Sequence, residues 1–175
     1  KKYKNSAIAI GNFDGVHKGH QKVFKQATRL AKKNRIKFGV LTFAPLPVMF
    51  FNRNIKNYRL ISENKKFKLF KKYKVDFVIN IKFNKIFSKL TAEKFIKNII
   101  FKKINPQLVF VSNNFRFGNK RKGNVHLLQK FSKKYNYRLV NILPFRHKGK
   151  VVSSTQIRKS LQKGNPDLAN TLLSR

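Results

Sequence analysis

Apolar positions along this chain fall into two alternating rhythms. Short, nearly unbroken apolar runs occur at 6–10, 37–43, 76–81, 107–111 and 137–142. Runs of this length, rich in Val, Ile, Leu and Phe, predict strands, most of them covered on both faces. Lys1 to Asn5 lead into the first of them. Between the runs, apolar residues recur every three or four positions, as on one side of a helix. Val23, Ala27, Leu30 and Ala31 mark a helix over 18–34, and Phe67, Leu69 and Phe70 one that Ser62 would cap and that ends near Tyr73. Phe95, Ile96, Ile99 and Ile100 follow a capping Thr91, and 125–135 carries a fourth amphipathic pattern. Arg146-His147-Lys148-Gly149-Lys150 reads as a basic loop, and Ser153 with Gln156 three residues on as a capping box opening the last helices. Gly164 then reads as a helix stop, and Pro166 starts a short helix holding Leu168, Leu172 and Leu173.

Strand, helix, strand within the first 43 residues is a βαβ unit, which implies parallel strands and a right-handed crossover. Repeated down the chain, the alternation predicts an α/β domain spanning 1–175, with a mostly parallel five-stranded sheet and flanking helices. No internal repeat or low-complexity linker divides it.

Three connections carry unusual residues. The first is Gly11-Asn12-Phe13-Asp14-Gly15-Val16-His17-Lys18-Gly19-His20, between the first strand and the first helix. Its glycines allow a sharp turn, His17 and His20 would share the first helical turn, and the helix N-terminus would face an anion above the strand end. These features make a phosphate site, although a plain strand–helix turn with two incidental histidines would use the same residues. The second, Thr42 to Phe51, holds Pro45, Pro47 and several aromatics, and suits either a ligand wall or a hydrophobic loop packed on the core. The third, Ser112 to Asn124, is basic, glycine-punctuated and holds Phe115 and Phe117. It would suit an anion bearing a planar ring, or be an exposed basic loop.

Composition narrows the choices. Forty-two Lys and Arg face five Asp and Glu, a formal charge of +37, and there is no Cys. A disulfide framework and a thiolate metal site are thereby excluded. No apolar run approaches the length of a membrane span, and no signal peptide is visible, so a cytoplasmic location is expected. Such charge ordinarily points to nucleic acid or an anionic membrane. Here the cations are spread along the chain without a basic tail, which favours compositional bias plus anionic small-molecule substrates over a dedicated nucleic-acid or membrane partner. Two-metal hydrolases and glycosidases need several carboxylates, which this chain lacks. Phosphoryl-type transfer relies on positioning and positive charge instead.

The Gly11–His20 stretch resembles the His-x-Gly-His signature of the nucleotidyltransferase superfamily, whose fold is Rossmann-like. Its longer form resembles the adenylyltransferase domain of bacterial bifunctional FAD synthetases (riboflavin kinase/FMN adenylyltransferases). Four more stretches occur in that family's order: Thr42-Phe43-x-Pro45-x-Pro47, Leu90-Thr91-Ala92-Glu93-x-Phe95, Asn114-Phe115-Arg116-Phe117-Gly118 and Ser153-Ser154-Thr155-x-Ile157-Arg158. The resemblance implies transfer of AMP from ATP to FMN, giving FAD and pyrophosphate, by in-line attack of the FMN phosphate on the ATP α-phosphorus. It implies that His17 and His20 contact the ATP phosphates, that Gly11, Phe13, Asp14 and Gly15 shape the nucleotide turn, and that Ser154, Thr155 and Arg158 hold the triphosphate. Asn114 would meet the FMN phosphate, with Pro45, Pro47, Phe51, Phe95 and Phe117 around the flavin. Mg²⁺ would arrive with ATP, with no protein cage for it. A riboflavin kinase domain would follow the chain.

The sequence departs from the family pattern at Val151, where Arg is usual, and at Ser112, where Gly is usual. Asn84, Asn113 and Asn124 replace frequent acids. Three rivals remain open: another nucleotidyl transfer on the same scaffold, a basic nucleic-acid-binding module, and an inactive domain supporting a kinase.

Overall fold

A computed structural model describes residues 3–175; the first two residues of the lead-in to the first strand lie outside them. Five parallel strands form the sheet: β1 (Ala7–Ile10), β2 (Phe38–Ala44), β3 (Phe77–Lys82), β4 (Leu108–Ser112) and β5 (Arg138–Ile142), in the spatial order β3-β2-β1-β4-β5. Register runs Ile8 to Gly39 on one side of β1 and Ile8 to Val109 on the other. The central strands are buried on both faces, whereas the edge strands β3 and β5 are partly exposed, so the centre reads as unbroken apolar runs.

Side chains alternate between two cores, as the strand period requires. Ala7 and Ala9 face a cluster with Val23, Phe24, Ala27, Val40, Phe70 and Phe110. Ile8 and Ile10 face the other, with Leu41, Phe95, Ile96, Ile100, Val109 and Leu128. Helices α1 (Lys18–Lys33), α2 (Pro47–Phe51) and α3 (Glu63–Lys72) follow the first strands; α4 (Lys85–Ser88) and α5 (Ala92–Lys94) precede β4, and α6 (Val125–Lys134) precedes β5. Two more, α7 (Ser154–Gln162) and α8 (Pro166–Leu173), close the chain over a small cluster of Val152, Ile157, Ala169 and Leu172.

The caps are side-chain oxygens, as the sequence suggests, but the expected capping box at Ser153 is only half made, because Gln156 Oε1 is buried without a partner. Ser62, Thr91 and Ser153 accept from the backbone N–H three residues on, at 3.3, 3.2 and 3.2 Å. Asn84 and Asn124 do the same for α4 and α6, at 2.8 and 2.9 Å. Asn is as good an N-cap as an acid, which accounts for these two departures without invoking a change of function.

Three expectations change. The segment after Thr91 is α-helical only to Lys94, and Phe95–Ile104 is a π-helix. The stretch after Pro45 is not simply a loop, since Pro47 opens the short α2. The basic segment at 146–150 is a two-stranded hairpin, β6 (Arg146–His147) with β7 (Lys150–Val151). Lys148 and Gly149 both have positive φ, 46° and 76°, as the tightest hairpin turns demand.

The chain winds outward through β1, β2 and β3, then returns to build β4 and β5 on the other flank. The strand order therefore reverses between β1 and β4, and ligands in open α/β sheets bind at the carboxyl ends beside such a reversal. The connections after β1 and after β4 both lie there.

Candidate active site

After Ile10 the backbone enters a single tight turn, Asp14–Val16, before α1. Phe13 takes a left-handed conformation, φ 51°, and its ring enters the core against Phe24 at 4.9 Å, with an edge toward His20 at 5.1 Å. Phe13 is therefore a core anchor that seats His20 from below. Gly15 has φ 81°, and a Cβ there would lie 2.8 Å from Leu60 Cδ1. The backbone conformation demands glycine, and a Cβ would also displace the Leu60 side chain.

His17 is the residue before α1, with extended backbone. Its ring stacks on His20, with centroids 3.7 Å apart and planes 22° from parallel. A Cβ on Gly19 would come within 3.0 Å of His17 Cε1, so the glycine between the histidines is what lets the ring fold back over the helix start. Nδ1 of each ring is buried and has no hydrogen-bond partner. Burial pulls the His17 pKa down to about 4, with a further push from the Arg158 guanidinium. Burial, then the neighbouring His17, holds His20 well below its ordinary value. Both imidazoles are thus neutral at pH 7. Two uncharged rings beside two helix starts form a site where an incoming anionic group would raise the imidazole pKa values and be met by protonated rings.

The second motif meets the first here. Ser154 Oγ donates to the Asp14 carbonyl at 2.9 Å, across 140 residues of sequence. Arg158 pairs with the buried Asp14 carboxylate, donates from Nε to the Tyr58 carbonyl at 2.8 Å, and lies over the Tyr58 ring with its guanidinium carbon 3.7 Å from the centroid. The Asp14 oxygens also accept from the Leu60 N–H at 3.1 and 3.2 Å. Asp14 is thus fully engaged, and Arg158 is held by it.

The start of α1 and the approach to α7 are adjacent: the Val152 carbonyl lies 3.5 Å from where a Gly19 Cβ would be. Each helix start leaves backbone N–H groups that no residue of its own helix can satisfy. Thr155 lies exposed in the first turn of α7. Behind the turn, Gln21 Nε2 donates to the Val16 and Leu173 carbonyls at 2.9 and 3.0 Å, and Arg175 donates to the Gly15 carbonyl at 2.6 Å. The end of the chain thereby braces the turn.

The remaining residues expected at the site lie outside this cluster. Asn114 is exposed just past β4, its side-chain oxygen accepting from Ser112 Oγ at 2.9 Å. Phe117 is buried, stacked on Phe115 at 5.4 Å and tilted on Phe95 at 5.3 Å. Phe95 is only 2% exposed, so it can shape a ligand wall only from behind Phe117. Phe51 is 69% exposed and joins Phe50 and Phe83 in an aromatic group at the β3 edge of the sheet. Gly11 permits Phe13 to tuck beneath it, a Cβ there lying 3.1 Å from the ring.

Sequence reasoning missed Lys66. It is 3% exposed, and its Nζ lies 3.4 Å from Thr42 Oγ1, which in turn donates to the Asn12 carbonyl at 3.1 Å. Its spacing of four from the buried Phe70 places it on the inner side of α3, a signal hidden by the many lysines around it. Tyr58 and the Leu60 N–H were also missed. Among the described residues, no three of His, Cys, Asp and Glu converge as metal ligands would, and no helix is long and apolar enough to cross a membrane.

Comparison with known proteins follows the same lines. A family model described as FAD synthetase matches residues 1–156. The chain is 43% identical over 172 residues to a bifunctional riboflavin kinase/FMN adenylyltransferase of Buchnera aphidicola subsp. Schizaphis graminum, covering 98% of this chain and 55% of the relative. It is 32% identical to the protein of the same name from Escherichia coli K12, covering 95% and 53%. The chain thus spans about half the length of the curated relatives it matches. Among solved structures, a chain titled macrolide-efflux protein from Streptococcus pneumoniae superposes with a TM-score of 0.86 at 25% identity, over 98% of this chain and 55% of that one. Thermotoga maritima TmcAL bound with alpha-thio ATP superposes with a TM-score of 0.57 at 12% identity, over 95% of this chain and 52% of that one, a likeness of fold alone.

Proposed function

Because the chain belongs to the FAD synthetase family, we propose that it transfers AMP from MgATP to FMN, giving FAD and pyrophosphate. The observation that carries the proposal is the meeting of two helix starts at the carboxyl end of β1, beside two stacked imidazoles whose Nδ1 atoms lack partners. That arrangement supports a polyphosphate held from two sides.

An FMN phosphate oxygen would attack the ATP α-phosphorus, and the bond from that phosphorus to the β-bridging oxygen would break in line. The nucleophile is already an anion at neutral pH, so no general base is needed. His17 and His20 would bind the phosphates, gaining protons as negative charge arrives. The N–H groups at the starts of α1 and α7, with Ser154 and Thr155, would face the β- and γ-phosphates. Arg158 would stabilise the departing pyrophosphate, oriented by Asp14 and Tyr58. Gly11, Phe13 and Gly15 would shape the turn. Asp14 is occupied by Arg158 and Leu60, so the magnesium of MgATP would be held by phosphate oxygens and water rather than by this carboxylate. Asn114 would contact the FMN phosphate, and Phe117, backed by Phe95, would form one flavin wall, with Pro45, Pro47 and Phe51 opposite.

We further propose that the complete protein acts in the cytoplasm and carries a riboflavin kinase domain after this one, as the names and extra length of the relatives suggest. The test is to incubate the protein with ATP, Mg²⁺ and FMN and to separate the flavins by chromatography. FAD formed in step with pyrophosphate is the expected result. No FAD, with salt-steep nucleic-acid binding instead, would replace this reading with the basic-module one.

A further inference from the structure

Among the described residues, Lys66 is the only lysine or arginine that is buried. An ammonium group taken out of water is costly unless ion-paired and fully hydrogen-bonded. Lys66 has neither compensation. The ion pairs found among the described residues, Arg59–Glu63 and Asp14–Arg158, do not include it, and Nζ has one long hydrogen bond, to Thr42 Oγ1. Nζ also lies over the Phe67 ring, 5.7 Å from the centroid.

Its place is specific. Thr42 lies at the carboxyl end of β2, and its hydroxyl donates to the Asn12 carbonyl in the turn that leads to His17. Lys66, Thr42 and Asn12 therefore form a chain from inside α3 to the back of the turn. Burial lowers the pKa of Lys66; the Glu63 and Asp14 charges oppose that shift and the Arg59 charge adds to it. A bound polyphosphate would oppose it further, favouring the ammonium.

We propose that Lys66 is a positioning residue for the nucleotide: its buried ammonium fixes the Gly11–Gly15 turn through Thr42 and places interior positive charge beneath a bound polyphosphate. The proposal rests on the AMP-transfer reading but makes a narrower claim. Lys66 serves the polyphosphate side of the site, not the flavin side beyond β4.

The test compares wild type with Lys66→Met and Lys66→Arg. Binding of MgATP and of inorganic tripolyphosphate is titrated without FMN, FAD formation is measured with each substrate varied, and melting is followed in parallel. Met matches the lysine stem and removes the charge, so its melting temperature should be unchanged or raised. Its affinity for both polyphosphates should fall about tenfold or more, with the KM for FMN within about twofold of wild type. Lys66→Arg should recover part of the loss. Polyphosphate affinity within about twofold of wild type in the Met variant would overturn the proposal. So would a loss that accompanies a falling melting temperature and a rise in both KM values, the signature of a merely structural lysine. Wild type that binds MgATP but makes no FAD would remove the FMN reading and leave the Lys66 comparison intact; wild type that binds neither polyphosphate would overturn both.

Discussion

The stacked histidines set the pH behaviour of the site. His17 has a folded pKa of about 4 against an ordinary 6.5, so between these values the unfolded chain holds a proton that the folded one does not. The contribution of neutral His17 to stability is complete above pH 6.5, is lost as pH falls toward 4, and is constant below. At 1.36 kcal/mol per unit, the loss is of order 3 kcal/mol. His20 acts in the same direction. Denaturant melts from pH 7 to pH 4 should show this loss, and saturating ATP should reduce it, because phosphate charge raises both histidine pKa values. Binding heats in buffers of different ionisation enthalpy should accordingly show net proton uptake near pH 6. Heats independent of buffer would mean that the imidazoles do not meet the phosphates. His20→Ala should lower turnover by about 10²-fold. Gly19→Ala should act through geometry: it displaces the His17 ring and should cost ATP affinity without altering any charge.

At the scale of elements, the site is a splice between the β1–α1 turn and the start of α7. Both motifs are legible in the sequence, as are the strands, the main helices and the caps, because apolar period and capping chemistry are local signals. The joint between the motifs is not local. Asp14 and Arg158 are 144 residues apart, and nothing in either motif says that the acid will hold the arginine. Lys66 was hidden for another reason: one inward lysine among 42 Lys and Arg leaves no compositional trace. The π-helix at Phe95–Ile104 was invisible because Ile96, Ile100 and Ile104 recur every four residues, which suits an α-helix equally well. The hairpin at 146–151 has strands too short to show a period. The Asp14–Arg158 splice is testable by a double-mutant cycle. Arg158→Met strands a buried carboxylate and should destabilise by about 3 kcal/mol or more. Adding Asp14→Asn should return part of that loss, giving a coupling of about 1–3 kcal/mol. Additive effects would show that the two motifs are joined by Ser154 alone.

At the scale of the whole molecule, a net charge of +37 is met by two ion pairs among the described residues. Like charges spread over one small body repel, and salt screens them over about 10 Å at 0.1 M. The same field would draw an anionic nucleotide toward the proposed site. Salt should therefore act in opposite senses on folding and on binding. Raising NaCl from low to physiological strength should raise the melting temperature by roughly 2–4 °C, equivalent to about 1 kcal/mol, while weakening MgATP capture. A melting temperature that is flat or falls would mean that the charges are too far apart to interact. The two effects separate by position. Lys130 and Lys133 are exposed on α6, toward the end of that helix leading into β5, away from the strand ends where the β1–α1 turn sits. Replacing both by Gln should mimic a little added salt, easing repulsion and raising the KM for ATP slightly, with kcat within about twofold. A large fall in kcat would mean that the surface charge takes part in the chemical step. Unchanged kcat would confine that step to the few groups at the turn and the start of α7, and leave the remaining cations a role in attraction only.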